Sequence, residues 1–335
     1  MVSLALLKGS AQALAPENFI KSLKCNYAYV ARNAHHIEIN YDILESYARS
    51  LPKMNPDDVL DSTHHFISDN AESNISFIIA LDSMNFGSGF QEQLKREGYD
   101  QPSGFYFKVA KILKAHYENN GPLTAKDLST LSAVEIAKLL QLPDISKNPY
   151  SFRLASSYSA SVKEVGAFIM AQHGGSFTAF IESCQGSAEN FVYALTRLAS
   201  YNDTCCYRGQ RVPFYKRAIS CAADMQDMFA HKDEVLFNDI NTLPCLADCD
   251  IPHVLRVDGI LKYDEELTSI VDEKELIEAG CEYEIELRAC AVHAVEIMAA
   301  KSGRSAIELD RILWHRAQEE AYKVLTPHRC ETKFY

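Results

Sequence analysis

Residues Arg208–Arg256 read RGQRVPFYKRAISCAADMQDMFAHKDEVLFNDINTLPCLADCDIPHVLR and hold a cationic cluster, an amphipathic helical pattern and a group of carboxylates. Apolar residues recur in it at spacings of three and four, so they share one face of a helix. The members of that face are Val212, Tyr215, Ala218, Ile219, Ala222, Met225 and Phe229. Proline costs no hydrogen bond in the first turn of a helix, so Pro213 predicts that the helix begins there.

The cationic cluster lies at the start of this helical pattern and consists of Arg208, Arg211, Lys216 and Arg217. Lys216 follows Tyr215 by about 100° around a helix of 3.6 residues per turn. It is therefore expected at the edge of the apolar face, where its long side chain can lean over that face. Its alternative role is that of a surface lysine whose stem covers apolar surface.

Three carboxylates follow among apolar residues: Asp239, Asp248 and Asp250. Pro252 favours a fresh helix start, so we predict that Asp248 and Asp250 lie in a turn before that helix. A cation at a helix edge and a carboxylate in a half-buried turn are the parts of a site that stabilises a developing positive charge. The alternative role for Asp248 is helix capping.

The composition is that of a globular chain. Its 335 residues predict one large domain or two medium ones, and 47% of them are hydrophobic. The formal net charge of −12 argues against nonspecific binding to DNA or RNA, which needs a basic surface. A phosphate on a small ligand would require a local cationic pocket.

Cysteine and histidine spacings give little support for a metal site. The chain has 10 cysteines but no CxxC pair, and Cys245 and Cys249 lack a second pair at zinc spacing. We interpret the cysteines as reduced thiols and His64 and His65 as a packed or solvated pair, and we expect no metal and no cofactor. The N-terminal residues lack the pattern of a secretory signal, and no apolar run reaches membrane-span length. The chain is expected to be soluble and cytoplasmic.

Helical periodicity dominates the rest of the chain. Thr124 and Ser132 are predicted to cap two short helices, with Glu135 completing a capping box after Ser132. Further helices are predicted from about Pro16, over 41–51, 76–84, 105–117, 153–172, 188–200, 264–279 and 282–301, and from Ser305 to about Leu325. No period of about 20–50 residues marks a repeat protein. The predicted fold class is mostly α, compact, with at most a few short strands.

The stretch Thr63–Phe90 ends an apolar run in the loop NFGSGF. As a structural element it predicts a buried helix followed by a tight turn, since glycines allow close backbone approach. As a functional element it would form a pocket floor, with Asp82 and Asn85 as polar groups and Phe86 and Phe90 available for stacking. The alternative role for Asp82 is pairing with a core arginine.

Two other features are interpreted structurally. The acidic and basic residues of Glu282–Arg288, EYEIELR, are predicted to form a solvated helix face. Trp314, the single tryptophan, is predicted to pack in the core.

Five stretches together resemble the queuosine salvage family, the queuosine 5′-phosphate N-glycosylases. In chain order these are ALDSMNFGSG at 80–89, RGQRVPFYKRA at 208–218, LADCDIPHVLR at 246–256, EIELRACAVHAVE at 284–296 and HRCETKFY at 328–335. The resemblance runs from about Phe66 to Tyr335. It implies a helical fold similar to the helix-hairpin-helix DNA glycosylases. We expect a single domain over 1–335, with two helical lobes that would divide near 120–150.

The resemblance also implies an activity and its residues. In the family, the lysine of the FYKRA motif and the aspartate of the FADY-like motif, which reads LADCD here, form the catalytic pair, here Lys216 and Asp248. The implied reaction is hydrolysis of the N-glycosidic bond of queuosine 5′-monophosphate to queuine and ribose 5-phosphate, which recycles queuine for tRNA modification. Candidate substrate-binding residues are Asp82, Asn85, Phe86, Tyr215, Asp239 and Arg256.

Two alternatives remain open from the sequence: a non-catalytic nucleotide-binding or scaffold protein, and a DNA or RNA base glycosylase. The expected partner is a small-molecule nucleotide, without nucleic acid or membrane, and a monomer is expected. We further predict that Lys216, helped by an arginine of the 208–217 cluster, binds the 5′-phosphate.

Overall fold

The computed structural model describes residues 14–54, 60, 62–99, 105–230 and 234–335, and these form a mostly α-helical fold. Their α-helices are α1 Phe19–Asn33, α2 Leu44–Ser50, α3 Ala71–Asp82, α4 Gln91–Arg96, α5 Phe105–Asn120, α6 Ala125–Thr130, α7 Ala133–Leu139, α8 Pro149–His173, α9 Phe177–Ser183, α10 Ala188–Thr196, α11 Lys216–Ala230, α12 Asp250–Val257, α13 Glu265–Asp272, α14 Glu282–Ser302 and α15 Ala306–Ala317. Single 3₁₀ turns cover Ser88–Phe90, Ile240–Thr242 and Glu320–Tyr322. The predicted fold class is confirmed.

The strands are short and form two antiparallel pairs. Strand β1, Ile37–Ile39, pairs with β4, Leu261–Tyr263, and β2, Thr204–Tyr207, pairs with β3, Gln210–Pro213. Among the described residues, no helix combines the length and the apolar character that crossing a membrane requires.

Local capping chemistry sets several helix starts. The side chains of Thr124 and Ser132 each accept a hydrogen bond from the backbone N–H three residues on. In return, the carboxylates of Asp127 and Glu135 accept hydrogen bonds from the backbone N–H groups of Thr124 and Ser132. Both are full capping boxes, so the predicted caps are confirmed. Helix ends were less predictable. The pattern over 264–279 ends as α13 at Asp272, and the last long helix ends at Ala317 rather than near Leu325.

The predicted start of the central helix is wrong. Val212 and Pro213 belong to β3, and α11 begins at Lys216. Arg208 and Gly209 both have positive φ, 49° and 80°. A two-residue loop with positive φ at both positions is the type I′ turn that closes a hairpin. In this hairpin Val212 of β3 pairs with Cys205 of β2. Its helical spacing from the apolar residues of α11 is therefore coincidental.

The prediction that Glu282–Arg288 is a solvated face is also wrong, because Glu284, Glu286 and Arg288 are buried. The Arg288 guanidinium donates to Asp203 at 2.5 Å and to Glu284 at 2.9 Å. The Glu286 carboxylate accepts the backbone N–H of His36 at 2.8 Å. Buried charges are tolerated when they are paired and hydrogen-bonded. Through these contacts α14 is joined to Asp203, directly before β2, and to the loop after α1.

The loop after α3 and the last residues of the sequence pack together. Gly87 has φ 112°, and its N–H donates to the backbone oxygen of Tyr335 at 3.2 Å. A Cβ on Gly89 would lie 1.9 Å from the backbone oxygen of Cys330. The glycines of NFGSGF therefore allow the chain end to approach the loop. The likeness to DNA glycosylases and the division into lobes stay predictions.

Candidate active site

A cavity lies between α11, α15, the turn before α12 and the loop after α3. Lys216 and Asp248, which lie in different sequence motifs, both line it. The full set of lining residues is Asn85, Tyr106, Lys216, Ser220, Asp224, Leu246, Asp248, Asp310, Arg311, Trp314 and His315.

Lys216 is the first residue of α11 and is only 6% exposed. Tyr215 before it has φ 54°, a conformation that cannot continue a right-handed helix, so the helix has to start at Lys216. Within the described part of the chain, no carboxylate oxygen lies within 4.0 Å of the Lys216 ammonium. A buried ammonium without a contact ion pair is costly and is available to a ligand.

Asp248 uses one of its oxygens structurally. Its Oδ1 accepts the N–H groups of Asp250 at 3.0 Å and Ile251 at 3.3 Å, which open α12. The capping role is therefore real, but it occupies one oxygen. Oδ2 accepts no hydrogen bond from a described residue, and Asp248 lines the cavity. Asp250 lies in the first turn of α12 rather than in the preceding turn, which corrects its predicted position.

Two carboxyl groups beside Asp248 retain their protons unusually well. Burial, and after it the charge of Asp248, raise the pKa of Asp310 to about 7. The same two causes raise the pKa of Asp250. Asp310 Oδ1 accepts the Leu246 N–H at 2.8 Å, which fixes this carboxyl against the Asp248 turn. The cavity therefore places Asp248 next to a carboxyl group that keeps its proton to a higher pH than usual.

Asp82 lies behind the cavity and acts through Asn85. Its Oδ1 accepts from Asn85 Nδ2 at 3.0 Å, and the same amide donates to Ser220 Oγ at 3.3 Å. Burial, and then the charge of Asp224, raise the pKa of Asp82 to about 8. Arg217 bonds the backbone oxygen of Asp82, so the core arginine contacts the main chain and not the carboxylate. The Asp82 carboxyl thus orients an amide that lines the cavity.

The arginine of the cavity comes from α15. Arg311 is paired with Asp224, and its Nη2 also donates to Asp227 Oδ2 at 3.0 Å. The Tyr106 hydroxyl donates to Asp224 at 3.3 Å and contacts His65 Nε2 at 3.0 Å. The buried His65 is therefore packed against the wall of the cavity, as predicted for a structural histidine.

The arginines of the 208–217 cluster lie elsewhere. Arg208 pairs with Glu282 at 2.7 Å, and Arg211 donates to the Tyr215 hydroxyl at 3.0 Å. Arg217 is buried and donates to backbone oxygens, including that of Ser200 at 2.9 Å. Of this cluster only Lys216 is among the cavity-lining residues. The structure thus gives no support to a phosphate contact from these arginines.

Phe86 and Phe90 line a separate surface groove with Arg153. The Phe86 ring packs edge-on against Tyr158 at 4.7 Å, and the Arg217 guanidinium lies 4.6 Å from its centre. A stacking role for either phenylalanine in the cavity has no support from this placement.

Three further candidates have local partners away from the cavity. Tyr215 stacks on Phe19 at 5.9 Å. The Asp239 carboxylate accepts the Ala188 N–H at 2.6 Å and so caps α10. Arg256 pairs with Asp272 at 2.8 Å. Their roles in substrate binding stay predictions.

Several residues that line the cavity were not predicted from the sequence, although the spacing of some of them along a helix is a usable signal. Lys216, Ser220 and Asp224 follow one another at intervals of four, so they form a polar stripe along α11. Asp310 and Trp314 have the same spacing on α15. Trp314 is half-buried, with its ring 6.0 Å from that of Tyr106, so it combines core packing with a place on the cavity wall. Tyr106 and Arg311 become recognisable only when α5 and α15 are packed against α11.

The raised carboxyl pKa values predict that stability falls as pH rises. A carboxyl whose pKa is higher in the folded chain contributes stability below its ordinary pKa and loses it as pH passes the folded pKa. For Asp310 and Asp82 that loss ends near pH 7 and 8. We expect the free energy of unfolding in urea to drop by roughly 1–3 kcal/mol between pH 6 and 9. Asp82→Asn should flatten this slope.

Asp144→Asn is the matched control for that experiment. The pKa of the exposed Asp144 carboxyl is lowered by its bonds to Ser146, so its titration is complete well below pH 6. The control should keep the slope of the parent. If the free energy of unfolding of the parent does not change from pH 6 to 9, the raised pKa values of these buried carboxyls would be contradicted.

Taken together, the cavity holds a carboxyl group that can stabilise a sugar becoming cationic while its bond breaks, a neighbouring carboxyl with a raised pKa, and a buried ammonium that can bind an electron-rich group of the ligand. This is the class of site that glycosidic-bond hydrolases use. The chain belongs to the queuosine salvage protein family, whose model matches residues 64–335.

Relatives within the family carry the same activity name. A queuosine 5′-phosphate N-glycosylase/hydrolase of Sphaerobacter thermophilus is 29% identical over 275 residues, which cover 80% of this chain and 83% of that protein. The Bos taurus protein of the same name is 26% identical and covers 79% of this chain and 82% of its own length. The Dictyostelium discoideum protein is 31% identical over 52% of this chain and 56% of its own length.

Proposed function

We propose that this chain hydrolyses the N-glycosidic bond of queuosine 5′-phosphate and releases queuine and ribose 5-phosphate. The observation that carries the proposal is the meeting of Lys216 and Asp248 in one cavity, in a chain that belongs to the queuosine salvage family. The product queuine would then be available again for tRNA modification.

Asp248 is proposed as the residue that faces the reacting sugar. Breaking the bond between the ribose and the base leaves positive charge on the sugar. The Asp248 oxygen that does not cap α12 would stabilise that charge and orient or deprotonate the attacking water. The two backbone N–H groups that donate to Oδ1 hold the Asp248 carboxyl in a fixed orientation at the cavity.

The leaving base is a 7-deazaguanine and lacks the N7 that other purines offer for protonation. Its departure requires a proton at another acceptor or charge stabilisation alone. Asp310 lines the same cavity and holds a proton up to about pH 7. It is therefore proposed as the proton donor to the base, which divides two carboxyl groups between two roles as in other glycosidic-bond enzymes.

Lys216 is proposed to bind the sugar and to add positive charge to this acidic site. Its charge lowers the pKa of the buried carboxyls of Asp82 and Asp250. We expect Lys216→Ala to lower kcat/KM for queuosine 5′-phosphate by about 10²-fold. Lys216→Arg should restore part of the loss if charge is what matters, whereas equal rates for parent and Lys216→Ala would exclude this role.

The proposed substrate is a free nucleotide, and the protein is proposed to act as a cytoplasmic monomer. The net charge of −12 disfavours a duplex DNA or tRNA substrate, and a non-catalytic binder would leave the bond intact. The experiment is a panel of queuosine 5′-phosphate, queuosine and queuosine-containing tRNA, with chromatography for free queuine. Release from the free nucleotide and not from tRNA is expected. Release from tRNA alone, or binding without release, would overturn the proposal.

A further inference from the structure

Cys245 is a buried cysteine that contacts a carboxyl group of the cavity from behind. It is 1% exposed, and its Sγ lies 3.1 Å from Asp310 Oδ1. The other acceptor near this thiol, the backbone oxygen of Leu246, is farther away at 3.7 Å. Asp310 and Leu246 line the cavity, whereas Cys245 is not among the lining residues. A contribution of Cys245 to catalysis would therefore pass through Asp310.

The Cys245 thiol is the donor in this contact. Burial, and after it the charge of Asp310, raise the pKa of the thiol well above its ordinary value. The sulfur therefore keeps its hydrogen near neutral pH. A thiol donates a hydrogen bond, whereas nucleophilic attack requires the thiolate. The environment of Cys245 thus favours hydrogen bonding over covalent chemistry.

Two donors meet on one oxygen of Asp310. Its Oδ1 accepts the Cys245 thiol at 3.1 Å and the Leu246 N–H at 2.8 Å. In a protonated carboxyl group one oxygen carries the hydrogen and the other is left to accept. Two donors on Oδ1 therefore favour a proton on Oδ2. Oδ2 accepts no hydrogen bond from the residues that the structure describes, and it is not sealed in the interior. The acidic hydrogen is thus directed at the cavity.

Both donors belong to the turn that carries Asp248. The Asp248 N–H donates to the backbone oxygen of Leu246 at 3.1 Å, which closes the turn on itself. Residues 245, 246 and 248 therefore hold the two carboxyl groups of the site in a fixed relation to each other. This relation matters for the chemistry, because an acid has to lie within hydrogen-bond reach of the atom that it protonates.

We propose that Cys245 is a positioning residue for the reaction, whose thiol holds Asp310 with its acidic hydrogen directed at the leaving base. The inference rests on the proposed function, because it requires Asp310 as the proton donor. The electron pair of the glycosidic bond leaves with the base, which takes the proton from Asp310 Oδ2. Water adds to the sugar carbon and returns a proton to the carboxyl groups. The thiol stays S–H throughout and is neither oxidised nor alkylated.

The test is the pH dependence of kcat and KM for the parent, Cys245→Ala and Cys245→Ser. A hydrogen bond donated to the ionised carboxylate favours that form, so its loss raises the pKa of Asp310. Cys245→Ala should move the basic limb of the kcat profile up by about 0.5 to 1 pH unit. It should also lower kcat on the plateau by about three- to tenfold with little change in KM. Cys245→Ser supplies a hydroxyl donor and should restore most of both.

Cys184→Ala is the matched control. Cys184 is also buried and donates to a backbone oxygen, that of Phe180 at 3.3 Å, but it does not line the cavity. The control should lose stability and keep the pH profile of the parent. All four proteins retain the same charged groups around Asp310, so a difference between their profiles reports the thiol. These groups are Asp248, Asp250, Arg311, Lys216 and Asp224.

Three kinetic results would overturn the positioning role and leave the proposed function standing. The first is a parent that hydrolyses the nucleotide while Cys245→Ala keeps the same basic limb. The second is a Cys245→Ser profile that matches that of Cys245→Ala, because packing of the sulfur would then matter and not its hydrogen. The third is an equal shift in Cys184→Ala, which would indicate a general effect of core substitution.

If the parent does not hydrolyse the nucleotide, or Cys245→Ala does not fold, infrared spectroscopy of the parent decides the matter. The S–H stretching band of Cys245 is identified by its absence in Cys245→Ser. It should move to lower frequency as Asp310 ionises and the hydrogen bond strengthens, with a midpoint near the Asp310 pKa of about 7. The movement should be much smaller in Asp310→Asn. A band that does not depend on pH in the parent overturns the hold of Cys245 on Asp310.

Discussion

Asp248→Asn is expected to lower kcat on queuosine 5′-phosphate by about 10² to 10³-fold while binding and folding are kept. The substitution keeps the shape of the side chain and removes the negative charge that faces the developing cation. Its Oδ1 can still accept the N–H groups of Asp250 and Ile251, so α12 should keep its start. The measurement is single-turnover hydrolysis, with the dissociation constant of the substrate determined separately.

Asp239→Asn is the matched control, because Asp239 was also a sequence candidate but caps α10 at Ala188. It should lose stability and keep turnover. Turnover of Asp248→Asn within about threefold of the parent would remove Asp248 from the proposed chemistry.

Deletion of Cys330–Tyr335 is expected to lower the free energy of unfolding by roughly 3–5 kcal/mol, the range for loss of a buried aromatic side chain. Tyr335 is 4% exposed, and its ring centre lies 4.5 Å from the Arg288 guanidinium. Arg217 Nη1 donates to the backbone oxygen of Lys333 at 3.1 Å. The deletion therefore removes partners from two buried arginines, which leaves charge inside without compensation.

Urea unfolding measures this loss, and two point variants locate it. Tyr335→Ala should account for most of the change, because this ring covers Arg288. Phe334→Ala is the control, since Phe334 is only half-buried and should cost much less. An unfolding midpoint that is unchanged by the deletion would show that these residues do not hold the loop at Gly87.

The fold class was predictable because helical periodicity and capping residues act locally. The Ser132 capping box is set by residues within one turn, so the sequence alone predicts it. The start of α11 was not predictable, because Val212 fits a helical face and a strand equally well. Its pairing with Cys205 decides between the two. The burial of Glu286 depends on backbone N–H groups about 250 residues away in the chain, which no local pattern reveals.

The candidate site was predictable to the extent that motifs carry it. Lys216 and Asp248 come from two motifs of the family resemblance, and both line the cavity. Asp310 and Arg311 needed the packing of α15 against the rest of the site. Asp239 and Arg256 looked equally suitable in the sequence, but a helix N-terminus and a neighbouring carboxylate engage them. Only tertiary contacts therefore show which charged residues near a motif belong to the site and which do not.

The most direct test of the central claim is the product balance of the purified chain with queuosine 5′-phosphate as the sole substrate. The account predicts that free queuine and ribose 5-phosphate appear in equal amounts as the nucleotide disappears, with no cofactor added. It would be contradicted by bound nucleotide that stays intact through many hours, or by release of phosphate and queuosine in place of queuine.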